Sequence, residues 1–428
     1  MSDSHPFHFA RCGRLPVRVA RLALLSLLVL PTLAAAQTLV FWTMQLAPFH
    51  NDYIHGVIAA YERHRPGVKV RWVDVPWAEM ERKALTAIAA GTAPDVVNLN
   101  PQFSAKLAEY GALAEPERYL SAADVASYLP STWRANRLNG KTFALPWYVS
   151  TNITLVNRKL LAQAGVAAPK DWPELLSTAQ QMRQRGAGYA YFVALDGSAP
   201  LEMLAGLRAP AMPLISSDSC EAGFDVPATI NFFDTYRTLY QQQLVPRNVL
   251  TEGHRTAVTM FLSGQVAMIS TGMQFLQQVK SSNPALYAQM AVVPQIGAGQ
   301  PNLAVMNLAV PTASRHPALA FDFARFVTNA ENQLTLMKRV PLLPSSAATY
   351  DDAFFTTPTG DAVLDAARSI SIQQARSGAV LVPPVRRYSQ LRASFVRKLQ
   401  ATMLRRIEPA DAVGDVVQEW RALLGCVR

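Results

Sequence analysis

Aromatic and small polar side chains meet at a break in an apolar run, within the segment 141–161. Trp147 and Tyr148 follow Pro146, and a serine, a threonine and an asparagine come at positions 150, 151 and 152. A proline removes a donor from a strand, so we predict two strands that join at a crossing. Aromatic faces can stack on a ligand while hydroxyl and amide groups orient it, which suits a cleft between two lobes. An ordinary strand, turn and strand with a core tryptophan is the alternative.

Other candidates follow the strands of a predicted parallel sheet, because ligands of such sheets bind beyond the carboxyl ends of the strands. The rule nominates Gln45 after the first strand and Trp77 after the second. Asn100 and Gln102 follow the third strand. Trp77 could instead be a core residue of its helix, and Asn100 could only cap a helix.

A later strand, predicted at 266–270, ends close to Gly272 and Met273. A glycine there allows the backbone to come close to a ligand, and Met273 would sit at the strand end. Met273 could equally fill the core.

Motifs for catalysis, metal binding and phosphate binding are missing from the sequence. Gly140, Lys141 and Thr142 resemble the end of a phosphate-binding loop, but Ala135 stands where the first glycine belongs and the lysine lies in an extended segment. No two carboxylates suggest a glycosidase pair. The histidines and cysteines show no ligand spacing for a metal, so we expect neither a metal nor a cofactor.

The elements that would hold these residues follow from periodicity. Strands at 39–42, 68–75 and 95–99 alternate with two helices, and Ile54, Val57, Ile58 and Tyr61 share one face of the first helix. This order indicates a parallel sheet covered by helices. The remaining predictions are helices at about 157–165, 172–185, 227–243, 391–405 and 410–424, a helix with Pro317 in its first turn, and strands at 189–195, 266–270, 291–294 and 303–310.

The first 36 residues have the composition of an export signal. Four arginines precede an apolar stretch from Leu22 to Leu33, and three alanines end at Ala36. The apolar stretch is too short to span a bilayer. We therefore expect cleavage near Ala36 and a free periplasmic protein that begins near Gln37.

Charge and cysteine content bound the mature chain further. The signal holds four arginines against one aspartate, which leaves +7 of the full chain's +10. No basic run suggests a nucleic-acid partner. Cys220 and Cys426 remain, and an oxidising compartment permits a disulfide, although the sequence does not say whether the two cysteines are close.

The ordered segments together resemble an extracellular solute-binding protein of a bacterial ABC importer, in the group that includes maltodextrin- and glycerol-phosphate-binding proteins. The stretches that carry the resemblance are LVFWT, GTAPDVVNLN with LAEYGALAEP, LPWYVSTNITLVNRKLLAQAG, FLSGQVAMISTG and LAVMNLAVPTASRHPALAFDFARFV. The resemblance implies a type II-like periplasmic-binding-protein fold. Its two α/β lobes would each hold a mainly parallel sheet flanked by helices and would close like a hinge.

The resemblance also implies roles for individual residues. Trp147 and Tyr148 match the aromatic position at which sugars are often stacked. Met273 stands where relatives often have tryptophan, and Asn302 lies in a loop that usually carries a glycine pair. Arg376 matches a position that sometimes binds anions or hydroxyls, with a solvated arginine as the alternative.

These observations predict a binding protein, not an enzyme. Its ligand would be a sugar or a sugar-like solute, such as a phosphorylated polyol, and its partner would be the membrane permease of an ABC importer. We expect a monomer, with lobe 1 at 37–147 plus about 304–347 and lobe 2 at 148–303 plus about 348–428. The alternative is a periplasmic hydrolase that acts on a glycan or a phosphate ester.

Overall fold

The computed structural model describes residues 37–48, 50–208, 212–216, 220–224, 226–297, 299–382 and 384–425. The proposed export signal and Cys426 lie outside the described residues. The strands are β1 Gln37–Met44, β2 Val68–Val75, β3 Val96–Leu99, β4 Arg137–Leu138, β5 Lys141–Thr142, β6 Leu145–Thr151, β7 Ile153–Asn157, β8 Tyr189–Tyr191, β9 Val266–Thr271, β10 Met290–Pro294, β11 Leu303–Ala309 and β12 Leu343–Pro344.

Helices lie between these strands and dominate the last part of the described chain. They are α1 Asn51–His64, α2 Trp77–Ala89, α3 Pro101–Glu109, α4 Ala122–Ala126, α5 Pro130–Arg134, α6 Arg158–Ala164, α7 Trp172–Gln184, α8 Ala199–Ala205, α9 Val226–Gln241, α10 His254–Leu262, α11 Leu276–Ser282, α12 Pro284–Gln289, α13 Pro317–Val327, α14 Ala330–Met337, α15 Ala362–Ser377, α16 Tyr388–Met403 and α17 Pro409–Leu424.

The first sheet has six strands in the order β12-β6-β11-β3-β1-β2. Strands β2, β1 and β3 are parallel and are joined by α1 and α2, as the periodicity predicted. The predicted apolar face of α1 is buried, with Ile54, Val57, Ile58 and Tyr61 all inside. The carboxyl ends of β1, β2 and β3 therefore lie side by side at one edge.

The second sheet has four strands in the order β10-β7-β9-β8. Only β8 and β9 are parallel in it, while β7 runs antiparallel to both β9 and β10. The two-lobed α/β fold is confirmed, but the prediction of mainly parallel sheets is wrong. The chain passes between the sheets from β6 to β7 and from β10 to β11. Among the described residues, no crossover helix joins the strands at these passages, so the strands pair in antiparallel fashion.

The chain passes between the sheets within very few residues. Strand β6 ends at Thr151 in the first sheet, and β7 begins at Ile153 in the second, so that Asn152 alone separates them. A second passage connects β10 to β11. Our residue bounds for the two lobes stay a prediction.

Both faces of the first sheet are covered, which explains why alternate residues of β1 belong to different hydrophobic cores. Leu39 and Phe41 belong to one core with α1 and α13, whereas Met44 belongs to another with α2 and α3. Successive side chains of a strand point to opposite faces, so one strand serves both cores. The second sheet lies in a larger core that also takes in α9, α16 and α17.

Three details differ from the sequence predictions or extend them. Strand β8 ends at Tyr191, not at 195, so the apolar residues that follow belong to a loop. Helix α15 was not predicted; Asp361 caps it through the backbone N–H groups of Val363 and Leu364. Cys220 is disulfide-bonded, although its partner is not among the described residues.

Candidate functional site

Three of the predicted site residues line one cavity of about 330 Å³ beside the first sheet: Trp77, Asn100 and Gln102. Trp77 opens α2 after β2, and its side chain is 48% exposed despite its size. Gln45, at the end of β1, lies beside them, since its side-chain carbonyl accepts a hydrogen bond of 3.4 Å from the Trp77 N–H. These residues, which the strand-end rule nominated, therefore lie together at one edge of the first sheet.

Asn100 has two roles at this wall. Its side-chain oxygen accepts the Phe103 N–H at 2.8 Å and caps α3, as the alternative prediction had it. The same side chain also lines the cavity. Gln102, in the first turn of α3, is half-buried and lines it as well.

The opposite wall of this cavity belongs to the second lobe. It is formed by Ser198 and Gly197, which precede α8, and by the first turns of α16, where Tyr388 and Arg392 lie. The Arg392 guanidinium donates to the Gly197 carbonyl at 3.0 Å. The cavity is therefore a cleft between the two lobes.

The cleft continues into a deeper cavity of about 250 Å³, which also contains Gly197 and Ser198. Four polar side chains from the edge of the second sheet line it: Asn152 before β7, Tyr191 at the end of β8, Ser270 in β9 and Gln295 after β10. Among the described residues, the side chains of Asn152 and Gln295 form no hydrogen bond. Their amides can therefore donate to and accept from a ligand.

Two carboxyl groups, of Asp196 and Glu202, and the imidazole of His254 line the deeper cavity. The His254 N–H, at the start of α10, lies 3.2 Å from both Asp196 oxygens. His254 Nε2 lies 3.0 Å from the Thr271 hydroxyl, and burial lowers the pKa of the imidazole, although Asp196 opposes the shift. Because that pKa falls below its usual value, His254 is a neutral group at pH 7.

Glu202 is the centre of a polar cluster beside the cleft. Burial raises the pKa of its carboxyl, although hydrogen bonds to the Ser198 and Asn302 side chains oppose the shift. Burial and the nearby Glu202 charge also raise the pKa of Tyr388. Burial raises the pKa of Tyr191 to about 12, so its hydroxyl remains a donor at pH 7.

Trp147 and Tyr148 do not line either cavity. Trp147 is completely buried in the core of the first lobe, with its ring centroid 6.4 Å from that of Phe41. Strand β6 lies between β11 and β12, and Trp147 shares its face with the core residue Leu145. The core-tryptophan alternative describes this geometry.

None of the remaining predicted residues lines either cavity of the cleft. Gly272 precedes a 3-10 turn, and Met273, within that turn, is buried beside a different cavity. Asn302 is buried, and its side-chain oxygen accepts the Leu381 N–H at 2.9 Å. Arg376 is exposed on α15, along a groove lined also by Tyr350.

Sequence reasoning missed the residues of the second wall, although one signal was available. The strand predicted at 189–195 ends directly before Asp196, so the strand-end rule applied to it would have nominated Asp196 and Ser198. The strand itself ends earlier, at Tyr191. Gln295 carries the same signal, because it directly follows the strand predicted at 291–294. Arg392 carries no comparable signal, because a distant segment brings it to the cleft.

The family described as bacterial extracellular solute-binding protein matches residues 49–334. The chain belongs to this family.

A crystal structure of a "putative oligosaccharide periplasmic-binding protein" from Synechococcus sp. MITs9220 is 33% identical to this solute-binding protein, with a TM-score of 0.82. The match covers 90% of this chain and 98% of that one. Diacetylchitobiose binding protein DasA of Streptomyces coelicolor is 21% identical over 335 residues, which are 73% of this chain and 74% of DasA. MalE, the sugar-binding protein of Xanthomonas citri, has the same fold, with 20% identity, a TM-score of 0.74 and coverage of 91% and 97%.

No described group of histidine, cysteine, aspartate and glutamate side chains could hold a metal ion. In the part of the chain that the structure describes, no helix has the length and apolar character needed to cross a membrane.

Proposed function

We propose that this solute-binding protein captures a saccharide in the cleft between its lobes and delivers it to the membrane permease of an ABC importer. The observation that carries the proposal is the exposed indole of Trp77, which lines a cleft whose opposite wall carries the polar side chains of Ser198, Tyr388 and Arg392. An aromatic ring packs on the C–H face of a sugar, and amides and hydroxyls bind its hydroxyl groups.

The charges in the cleft favour a neutral saccharide over a phosphorylated polyol. The deeper cavity is lined by two carboxyl groups, Asp196 and Glu202, which would repel a phosphate. At the outer cavity, Lys106 is paired with Glu81 at 2.5 Å, and Arg392 bonds a carbonyl. Among the described residues that line the outer cavity, Arg392 is therefore the cation without a carboxylate partner, and the two carboxyl groups of the deeper cavity outnumber it.

The relatives support the ligand class and the partner. DasA is named for diacetylchitobiose, and the Xanthomonas citri relative is described as a sugar-binding protein. A relative from Deinococcus radiodurans is named as an ABC transporter-binding protein. For this chain we infer a monomeric periplasmic protein whose signal is cleaved near Ala36, with lobes bounded as the sequence predicts.

We also infer that the protein is not an enzyme. Asp196 and Glu202 line one cavity, which is the feature that a hydrolase of glycans would need. Each carboxylate already has a structural partner, since Asp196 receives the first N–H of α10 and Glu202 receives the Ser198 hydroxyl. Both groups thus hold elements in place beside the cleft.

Isothermal titration of the mature protein with short neutral oligosaccharides and with sugar phosphates tests the proposal. We expect heat of binding with at least one neutral saccharide and none with its phosphate ester. Chromatography of the recovered saccharide should show no cleavage products. Binding of phosphate esters alone would overturn the ligand class, and cleavage would favour the hydrolase.

A further inference from the structure

A cavity of about 380 Å³ remains that shares no lining residue with the cleft. Its walls come from both lobes. Met273 and Leu276 belong to the core of the second lobe, whereas Met337 and Phe355 belong to that of the first. We call it the Met273 cavity.

The lining of the Met273 cavity is mainly apolar and adaptable. Two methionines, Met273 and Met337, contribute flexible side chains, and Phe354 and Phe355 contribute aromatic faces. Methionine adjusts its shape to a ligand and makes favourable contacts with aromatic rings. This composition suits a hydrocarbon body and differs from the polar lining of the cleft.

Two of the cations at the Met273 cavity are already neutralised. Lys280 pairs with Asp361 at 2.8 Å, and Arg368 pairs with Asp365 at 3.2 Å. Arg368 also donates to the Phe354 carbonyl at 2.7 Å. The Lys280 ammonium and the Arg368 guanidinium therefore attract a further anion less strongly than an unpaired cation would.

Lys338 and Arg339 are different. Both are exposed, both line the cavity, and neither forms an ion pair with any described carboxylate. The carboxylate that lines the cavity, Asp361, already accepts from Lys280 and from the Tyr287 hydroxyl. The rim thus carries two positive charges without a counterion among the described residues.

We propose that the Met273 cavity is a second binding site, for a small amphiphilic anion. Its hydrocarbon body would lie against Met273, Met337 and Phe355, and its acidic head would bind Lys338 and Arg339. Apolar pockets with a few convergent polar groups are the usual form of small-molecule sites, and arginine binds carboxylates with two parallel hydrogen bonds.

Calorimetric titration of the mature protein with decanoate, below its micelle concentration, tests this proposal. Decan-1-ol has the same tail without the charge and controls for the head group. We expect decanoate to bind the wild type. The Lys338→Gln/Arg339→Gln variant should bind decanoate about tenfold more weakly, whereas its affinity for decan-1-ol should be unchanged.

Gln277 offers a way to fill the cavity without disturbing the core, because it is exposed on α11 and lines the cavity. Gln277→Trp should abolish decanoate binding. Gln278→Trp is the matched control, since Gln278 is exposed on the same helix but does not line the cavity. Circular dichroism checks that both variants fold.

Trp77→Ala separates this site from the saccharide site. It should weaken saccharide binding and leave decanoate binding unchanged. No decanoate binding, equal binding to the Gln277→Trp and Gln278→Trp variants, or loss of decanoate binding in the Trp77→Ala variant would each overturn the proposal. None of these outcomes bears on saccharide binding by the wild type.

Discussion

Two tryptophans, Trp77 and Trp147, show how much a residue's role depends on where its strand or helix lies. Both follow or belong to predicted strands, and both were candidates for stacking on a ligand. Trp77 projects from a helix start into the cleft, whereas Trp147 is on a strand whose two faces are covered. The sequence showed the aromatic residues but not which face each one occupies, because that depends on the register of β6 with β11.

Trp77→Ala should weaken saccharide binding by about 1 to 3 kcal/mol, since it removes an aromatic contact at the cleft. Its effect on the free energy of unfolding should be small, because the side chain is already half exposed. Calorimetry and urea denaturation measure the two quantities. Tyr110→Ala is the control, because Tyr110 is 67% exposed and lines neither cleft cavity; equal losses of affinity in both variants would contradict the stacking role.

Trp147→Ala should behave in the opposite way. It removes a completely buried ring from the core around Phe41, so we expect a loss of about 3 to 5 kcal/mol in the free energy of unfolding. Saccharide affinity of the folded fraction should stay close to that of the wild type. A stable variant that no longer binds would return Trp147 to the binding site.

At the scale of elements, Glu202 connects three segments that are distant in sequence. It lies on α8, its carboxyl bonds Asn302 before β11, and its charge acts on Tyr388 at the start of α16. Asn302 was predicted as a ligand residue from its loop, and the structure shows it committed to the Leu381 N–H and to Glu202. A polar residue between strands looks the same in sequence whether it binds a ligand or another segment.

The Glu202 cluster should make stability depend on pH. The folded pKa of Glu202 is raised above its ordinary value of 4.5, so the folded state holds the proton more tightly than the unfolded state. Its contribution is fully present below pH 4.5 and is lost as the pH rises through the folded pKa. Glu202→Gln removes this dependence, and its free energy of unfolding should improve relative to wild type as the pH rises above 4.5. Urea denaturation across this range measures the difference, and a constant difference would contradict the assignment.

The parallel half of the first sheet was predictable for a physical reason. Strands β1 to β3 are joined by local helices, so periodicity and helix stops define them completely. The mixed pairing around β6, β7, β10 and β11 depends on contacts between distant segments, which no local pattern encodes. The same division holds for the site. The wall with Trp77, Asn100 and Gln102 was predicted from strand ends, while Arg392 reaches the cleft from α16, about 200 residues beyond Ser198 in the sequence.

For the whole molecule, the two lobes place one polar sheet edge on each side of the cleft. An exposed ion pair also crosses between them, from Glu109 at the end of α3 to Arg386 before α16, at 3.3 Å. Such a pair contributes about 0 to 1 kcal/mol, so it does not hold the lobes together by itself. A ligand that contacts both walls would supply the larger stabilisation of the closed form.

Export should remove the N-terminal segment before the protein meets its ligand. We expect N-terminal sequencing of the periplasmic protein to begin near Gln37, the first residue of β1. The signal's short apolar stretch and its three alanines are the basis for this expectation. An intact Met1 in the exported protein would contradict it.

A crystal structure with a bound neutral oligosaccharide tests the central claim most directly. The account predicts saccharide density in the cleft, with one sugar ring against the Trp77 indole and hydroxyl groups within hydrogen-bond distance of Asn152 and Gln295. Density at any other surface, with an empty cleft, would contradict the account.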